Sequence, residues 1–327
     1  MTDESDAKPA AQVELDAQVK PGAQVKRAAK HKKSNALLNV MIAISAIAMI
    51  GALGLIAYPT FSDWWNRMHQ SYAVAGYVEQ TKDMSGAERK AMLKAAHEYN
   101  ERLAANGDRW HMTDAQKREY DETLDVTGTG IMGYVTIPRI KVKLPVYHGT
   151  SDGVLQIAAG HLAGTSLPVG GATTHAVVSG HTGLPSARLL TGLDELQKGD
   201  TFAFHVLDET YTYQVDQISV VLPSEISKLN IESGADYATL ITCTPYGVNS
   251  HRLLVRGHRI PNPKVPDKTQ YDEPGEMTAV AAAVIGLLVF VAGCAFVGLA
   301  RLWRRSWIVR HGLCAGAGAR HSSGVRG

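Results

Sequence analysis

Arg139-Ile140-Lys141-Val142-Lys143-Leu144-Pro145-Val146 decides the fold class. Ile140, Val142, Leu144 and Val146 alternate with Arg139, Lys141, Lys143 and Pro145, which is the two-residue repeat of a strand with one wet face. Working outward, the pattern predicts further strands over Gly133 to Ile137, His175 to Ser179, Thr201 to Leu207, Thr210 to Leu222, Ala238 to Thr242 and Leu253 to Ile260. These runs are short and β-branched, and Gly, Pro, Asn and Asp clusters separate them. Gaps long enough for a helix occur only around 186–198 and 224–234. That spacing favours an all-β barrel or sandwich over an alternating βαβ sheet.

Upstream the period differs. Gly128-Thr129-Gly130 marks the change, and residues 62–125 read as helical. Ser85-Gly86-Ala87-Glu88 has the spacing of a capping box. Met92, Ala96, Tyr99 and Leu103 then recur at helical intervals, giving one apolar stripe. Asn106-Gly107 ends that helix, a polar stretch from Asp108 to Met112 connects, and a second short helix is predicted from Thr113 to Leu124.

Composition adds the context of this domain. Charged residues make up 20% of the chain, against about 25% in a typical soluble domain, and the deficit is localised. No charged residue occurs between Lys33 and Asp63, and none between Glu276 and Arg301. Each gap holds enough apolar residues to cross a bilayer, which takes about 20. The stretch Leu37 to Tyr58 is longer than the apolar core of a secretory signal, about 7 to 15 residues, and so predicts an uncleaved anchor. Residues 1–36 carry 7 Lys+Arg and 5 Asp+Glu, whereas residues 301–327 carry 6 and none. Because Lys and Arg resist translocation, both ends are predicted to be cytoplasmic and the acidic middle external. A purely soluble, disordered or collagen-like chain is excluded, and topology accounts for the basic termini without nucleic acid.

Of three cysteines, Cys294 falls in the second apolar run and Cys314 in the basic tail, which leaves Cys243 alone in the external segment. A same-compartment disulfide within the chain is thereby excluded. Cys243 ends a strand and precedes Thr244-Pro245-Tyr246-Gly247, so its thiol sits at a strand end, where side chains can face a cleft. A thiol with a reference pKa near 8.5 needs a cationic or polar neighbour to become a useful thiolate. His181, between glycines in Ser179-Gly180-His181-Thr182-Gly183, is one candidate. Arg252 is the other: it opens the strand after the turn that follows Cys243, and its guanidinium suits an oxyanion. Thr239, Thr242 and Thr244 are candidates for a substrate cleft. The plainer readings are a packed, inert Cys243 and surface or structural roles for His148, His161, His175, His205, His251 and His258. No C-x-x-C, H-x-x-x-H or H-E-x-x-H spacing points to a metal, no glycine-rich motif points to a nucleotide, and no cofactor is expected.

Thr239-Leu240-Ile241-Thr242-Cys243 resembles the T-L-x-T-C signature of sortases, the cysteine transpeptidases of Gram-positive bacteria. From about Gly133 to Ile260, the runs G-Y-V-T-I-P, H-L-A-G-T-S-L-P, S-G-H-T-G-L-P-S and H-R-L-L-V-R-G resemble the pilin-polymerising class C. The resemblance implies a closed eight-stranded β-barrel with N-terminal helices, flanked by two transmembrane helices. It also implies attack by Cys243 on the threonine carbonyl of an LPxTG-type sorting signal, loss of glycine, and resolution of the acyl-enzyme by a pilin lysine. His181 would act as general acid and base, and Arg252 would position substrate and stabilise the oxyanion. Class C members carry an inhibitory lid with an Asp-Pro-aromatic motif. Asp108-Arg109-Trp110 stands in that place, with Arg109 where proline is usual. Without proline's fixed φ the lid is expected to be mobile, with Trp110 over the thiol and Asp108 paired to Arg252.

The domain plan that follows has a cytoplasmic basic tail at 1–36, a transmembrane helix at 37–58, an external helical region with the lid at 59–127 and a barrel at 128–260. A Pro-rich linker at 261–277, a second transmembrane helix at 278–300 and a basic tail at 301–327 complete it. The expected partners are LPxTG-bearing pilin subunits and the lipid bilayer. The rival readings are a housekeeping sortase acting on the cell wall, a cysteine peptidase, and a tethered, non-enzymatic surface scaffold.

Overall fold

The computed structural model describes residues 21–264, Tyr271, 282–283, 285–298 and Arg301. The tail residues 1–20 and 302–327 with Cys314, most of the linker after residue 264, and parts of the second apolar run lie outside the described residues. The chain divides into two units, one formed by the residues up to Gly54 and from Gly286, the other by Leu55–Ile285.

Helix α1 spans Pro21–Asp83. By length and composition it can cross a membrane: its most apolar 18-residue window has a mean hydropathy of 2.5 and none of that window is buried. Ile285–Gly298 is also apolar helix, but shorter. Pro59 lies inside α1, so the helix continues past the end of the apolar run. The sequence beyond it is itself helical in period, since Gln70, Val74, Tyr77 and Thr81 recur at three- and four-residue steps and are all buried. Tyr77 joins helix and barrel: its hydroxyl donates to the Met132 carbonyl (3.1 Å) and accepts from the Leu207 N–H (2.7 Å). Burial pushes its pKa up to about 12.

In the larger unit, helices α2 (Gly86–Ala105) and α3 (Asp114–Glu122) precede the strands. The capping box at Ser85 and Glu88 forms as predicted, and Thr113 makes a second with Gln116. The stripe Ala96, Tyr99 and Leu103 is buried on the barrel, and Met92 packs beside it. Asn100 also lies on that face, exchanging two hydrogen bonds with the backbone of Leu167.

The strands are β1 (Ile131–Ile137), β2 (Val142–His148), β3 (Ala159–His161), β4 (Thr174–Ser179), β5 (Thr201–Val206), β6 (Glu209–Val221), β7 (Asp236–Thr244) and β8 (His251–Arg259). They close into a barrel in the order β1-β2-β3-β4-β7-β8-β6-β5, which removes free sheet edges. Two pairings are parallel, β2 with β3 and β4 with β7. The interior is filled by side chains such as Met132, Val135, Leu144, Phe202, Tyr213, Leu240 and Val255. The two gaps long enough for a helix hold only single 3₁₀ turns, Leu193–Glu195 and Ser227–Leu229.

His161, at the end of β3, is fully buried. Its Nε2–H donates to the Ser166 carbonyl (2.8 Å), and the Tyr120 hydroxyl lies 2.9 Å from Nδ1. Burial, only partly offset by the Ser166 bond, pushes its pKa from 6.5 down to about 4. The fold therefore holds the neutral ring, while the unfolded chain takes a proton near pH 6.5. Stability should be full above that pH and decline as pH falls towards 4, by roughly 3 kcal/mol. Thermal unfolding followed against pH reads this decline, which His161→Gln should reduce.

Candidate active site

Alternation along β7 splits its side chains between two apolar layers. Ala238 and Leu240 belong to the barrel core, whereas Ile241 joins Val177, Val221, Leu229 and Leu254 in a second layer against which Trp110 and Leu162 pack. The latter layer covers the outer face of β4, β7 and β8. Two residues beyond Ile241 on the same face comes Cys243, and its cross-strand partner on β8 is Arg252, just as Leu254 is the partner of Ile241.

The β4 side brings the third group. Ser179 is the parallel partner of Ile241, and the pairing continues one step further: the Gly180 N–H donates to the Ile241 carbonyl (3.0 Å) and the Thr242 hydroxyl donates to the Gly180 carbonyl (2.9 Å). His181 therefore leaves β4 at the level of Cys243. Thiol, imidazole and guanidinium start from three adjacent strands, about 4.8 Å apart in such sheets, and all three residues are half-buried.

Local contacts hold these groups in place. Arg252 Nη1 donates to the carbonyls of Asn249 (3.2 Å) and His251 (3.1 Å), so the guanidinium lies along its own turn. That turn begins with a cis Thr244–Pro245 bond. The His181 carbonyl accepts from the Leu190 N–H (3.1 Å), and Gly183 N–H donates to the Thr191 hydroxyl (3.0 Å). Gly183 has φ +72°, and a Cβ there would run into the Tyr246 ring. The His181 loop and the Cys243 turn thus touch at a point only glycine permits. Gly183→Ala should displace Tyr246 and the turn, lowering activity with a stability loss of about 1–3 kcal/mol; kinetics and thermal unfolding measure the two.

The segment Asp108–Trp110, expected to be a lid, lies over the outer apolar layer, where Trp110 packs. Arg109 is buried, and its guanidinium donates to the carbonyls of Gly164 (3.2 Å) and Leu229 (3.0 Å) and to Asn230 Oδ1 (3.2 Å). It also stands 4.6 Å from the Trp110 ring centroid. Burial lowers its pKa. Two expectations are corrected here. Arg109 does not loosen the segment through a missing proline; it fastens the segment by three hydrogen bonds. Asp108 does not pair with Arg252; it is exposed and bonded to His111 (2.8 Å), the contact that chiefly lowers its pKa. Gly164, at φ +85°, admits the segment: a Cβ there would lie 2.5 Å from the Arg109 carbonyl oxygen and 3.1 Å from Trp110.

Thr239 and Thr242 also need correction as cleft candidates. Both are buried, Thr239 bonded to His175 Nε2 (2.7 Å) and Thr242 to Gly180. Thr244, half-buried beside Cys243, remains at the site. Sequence reasoning missed Asn230, whose carbonyl accepts from His175 Nδ1 (2.8 Å) while its side chain holds Arg109. Nothing in the local pattern around Asn230 marks it. Among the described residues no group of three His, Cys, Asp or Glu comes together to hold a metal. A half-buried thiol on the strand between those that carry an imidazole and a guanidinium at the same level supplies the groups that nucleophilic attack on a carbonyl requires.

A family model described as the Sortase domain matches residues 135–260. Sortase A of Streptococcus agalactiae serotype III (strain NEM316) is 29% identical over 117 residues, which is 35% of this chain and 47% of that protein. Sortase A of Bacillus anthracis is 27% identical over 149 residues, 44% and 69% of the two chains. The chain therefore spans about half the length of the first of these curated relatives. Among solved structures, sortase C1 from Streptococcus agalactiae is 51% identical with a TM-score of 0.58, covering 59% of this chain and 100% of that one. Streptococcus pneumoniae sortase C is 45% identical (TM-score 0.53, 58% and 97%). Clostridium perfringens sortase C, solved with the C-terminal cell wall sorting motif, is 40% identical (TM-score 0.52, 59% and 100%). The chain belongs to the sortase family.

Proposed function

We propose that this protein is a membrane-anchored class C sortase that joins pilin subunits through isopeptide bonds. The observation that carries the proposal is the alignment of Cys243, Arg252 and His181 at one level of β7, β8 and β4. The identity of 40–51% to the sortase C structures named above supports the class.

The chemistry follows from the three groups. The Cys243 sulfur attacks the threonine carbonyl of an LPxTG-type signal, and the tetrahedral oxyanion forms beside the Arg252 guanidinium. His181 gives its proton to the departing glycine nitrogen, leaving a thioester on Cys243. A pilin lysine then attacks the thioester, passes its proton to His181, and leaves as an isopeptide with the thiolate restored. Residues 37–58 and 278–300 anchor the chain, both basic tails stay cytoplasmic, and the domain at 128–260 works outside, with 59–127 carrying the lid and 261–277 the return linker.

The test incubates the purified protein with an LPxTG peptide and candidate pilins, and mass spectrometry follows the products. The acyl-enzyme on Cys243 and a lysine isopeptide are expected. Transfer to a wall-peptide amine alone would favour the housekeeping reading; release of free acid alone would indicate a peptidase. For topology, an impermeant protease applied to protoplasts should remove the middle and spare tags on both ends. Loss of the C-terminal tag would sink the two-anchor plan.

A further inference from the structure

The loop that leaves β4 at His181 is closed at its base and strained towards its far end. At the base, the His181 carbonyl accepts from the Leu190 N–H (3.1 Å). Towards the tip, a bridge pairs Leu184 with Ala187, and Leu189 stands at φ +43°. That is the left-handed region, unfavourable for a leucine and kept only where the surroundings over-determine the backbone. Ala187, Leu189 and Leu190 bury their side chains in the core, and α1 holds the backbone beside them. Asn66 Nδ2 donates to the Ser186 carbonyl (2.7 Å), and Asp63 Oδ1 accepts from the Arg188 N–H (2.8 Å). These two bonds fix the peptide units just before Leu189, while the Leu190 bond to His181 fixes the one after it.

The helix is a firm support for these bonds. Asp63 and Asn66 are three residues apart and so share one face of α1. Asp63 is kept in place by Arg67 one turn on, whose Nε lies 3.0 Å from its Oδ2. Further along the same helix, Gln70 Nε2 donates to the Ile157 carbonyl (2.8 Å), and Tyr77 bonds to the backbone of Met132 and Leu207. The helix is thus fastened to the barrel independently of the loop, so its hold on the loop tip is a hold on His181 relative to Cys243. The end of an apolar run accounts for a charge at Asp63 but not for its bond to a backbone N–H 125 residues away. We infer that Asp63 and Asn66 are positioning residues for the transfer reaction: they hold the loop at 181–190 so that the imidazole stays at the level of the thiol. This rests on the proton-carrying role given to His181 above.

The experiment uses the full chain in detergent, with cleavage of an LPxTG peptide and amide hydrogen exchange as readouts. Asp63→Ala with Asn66→Ala should speed exchange across 184–190 about tenfold, the scale set by losing two hydrogen bonds. Exchange in β7 should not change, and α1 should persist because alanine suits a helix interior. kcat should fall about tenfold, less than the full loss of a proton carrier, with KM for the peptide unchanged. Asp63→Asn keeps an acceptor for the Arg188 N–H, so it should recover most of the loss seen in Asp63→Ala. In a His181→Ala background the double alanine change should cost nothing further, because its effect runs through the imidazole. Unchanged exchange at 184–190, unchanged kcat, or an equal further loss without His181 would overturn the inference. So would a rise in KM with kcat intact. His181→Ala turning over like the parent protein would instead overturn the role of His181, and the inference with it.

Discussion

Cys243→Ala protein should form no acyl-enzyme and no transfer product, because neither neighbour of the thiol can replace it as a nucleophile. Arg252, its cross-strand partner, and His181, at the same level of β4, should behave differently from Cys243 and from each other. On the proposed roles, His181→Ala removes the proton carrier, a loss of roughly 10²–10⁴ in turnover, and Arg252→Ala removes the oxyanion partner, a loss of roughly 10²–10³. Arg252→Lys should recover only part of that, since an ammonium lacks the planar fork, whose Nη1 holds the Asn249 and His251 carbonyls and leaves the other arm for substrate. Single-turnover kinetics with mass detection of the thioester separate these steps. Wild-type turnover by Arg252→Ala would refute its role.

The second large effect concerns the lid segment. Arg109→Ala would leave the Gly164 and Leu229 carbonyls without their donor and remove the cation beside Trp110. With hydrogen bonds to charged groups worth about 1.5–3 kcal/mol each, local opening should become tenfold or more frequent. Alkylation of Cys243 should speed up by that factor, with a smaller change in global melting temperature. Arg109→Pro, which would restore the family's residue and delete the three bonds, should also raise the rate. A slower rate in Arg109→Pro would show that backbone stiffness, not the guanidinium, keeps this segment closed. If Trp110 merely packs the helices, global stability should drop without a selective gain at the thiol.

Most strands were readable as short, β-branched runs bounded by turn residues; β2 also shows the alternation, whereas β1, β4 and β7 are buried on both faces. β3 was not: Ala159-Gly160-His161 has no period, and its place comes from Val146 and Ser179 partners far along the chain. Cys243 and Arg252 were readable together because one hairpin sets their register. His181 stood out by its flanking glycines and by family resemblance, while the parallel pairing that brings it to Cys243 is a tertiary fact. The same holds for Arg109. Its partners Gly164, Leu229 and Asn230 lie 55, 120 and 121 residues away, so the residue looked like a defect in a short motif. The threonines misled for the opposite reason: proximity in sequence to Cys243 says nothing about which strand face is covered.

The two pairings around the thiol also form at different times. Cys243 and Arg252 meet within a hairpin, whereas Gly180 and Thr242, which mark the approach of His181, are 62 residues apart. Closing so long a loop into a parallel seam is the slow kind of contact, because its entropy must be met before neighbouring strands reward it. A folding chain therefore gathers its sulfur and its guanidinium early and gains its imidazole late. On the proposed roles, the unfinished enzyme is chemically silent, and completion of the β4–β7 seam arms it.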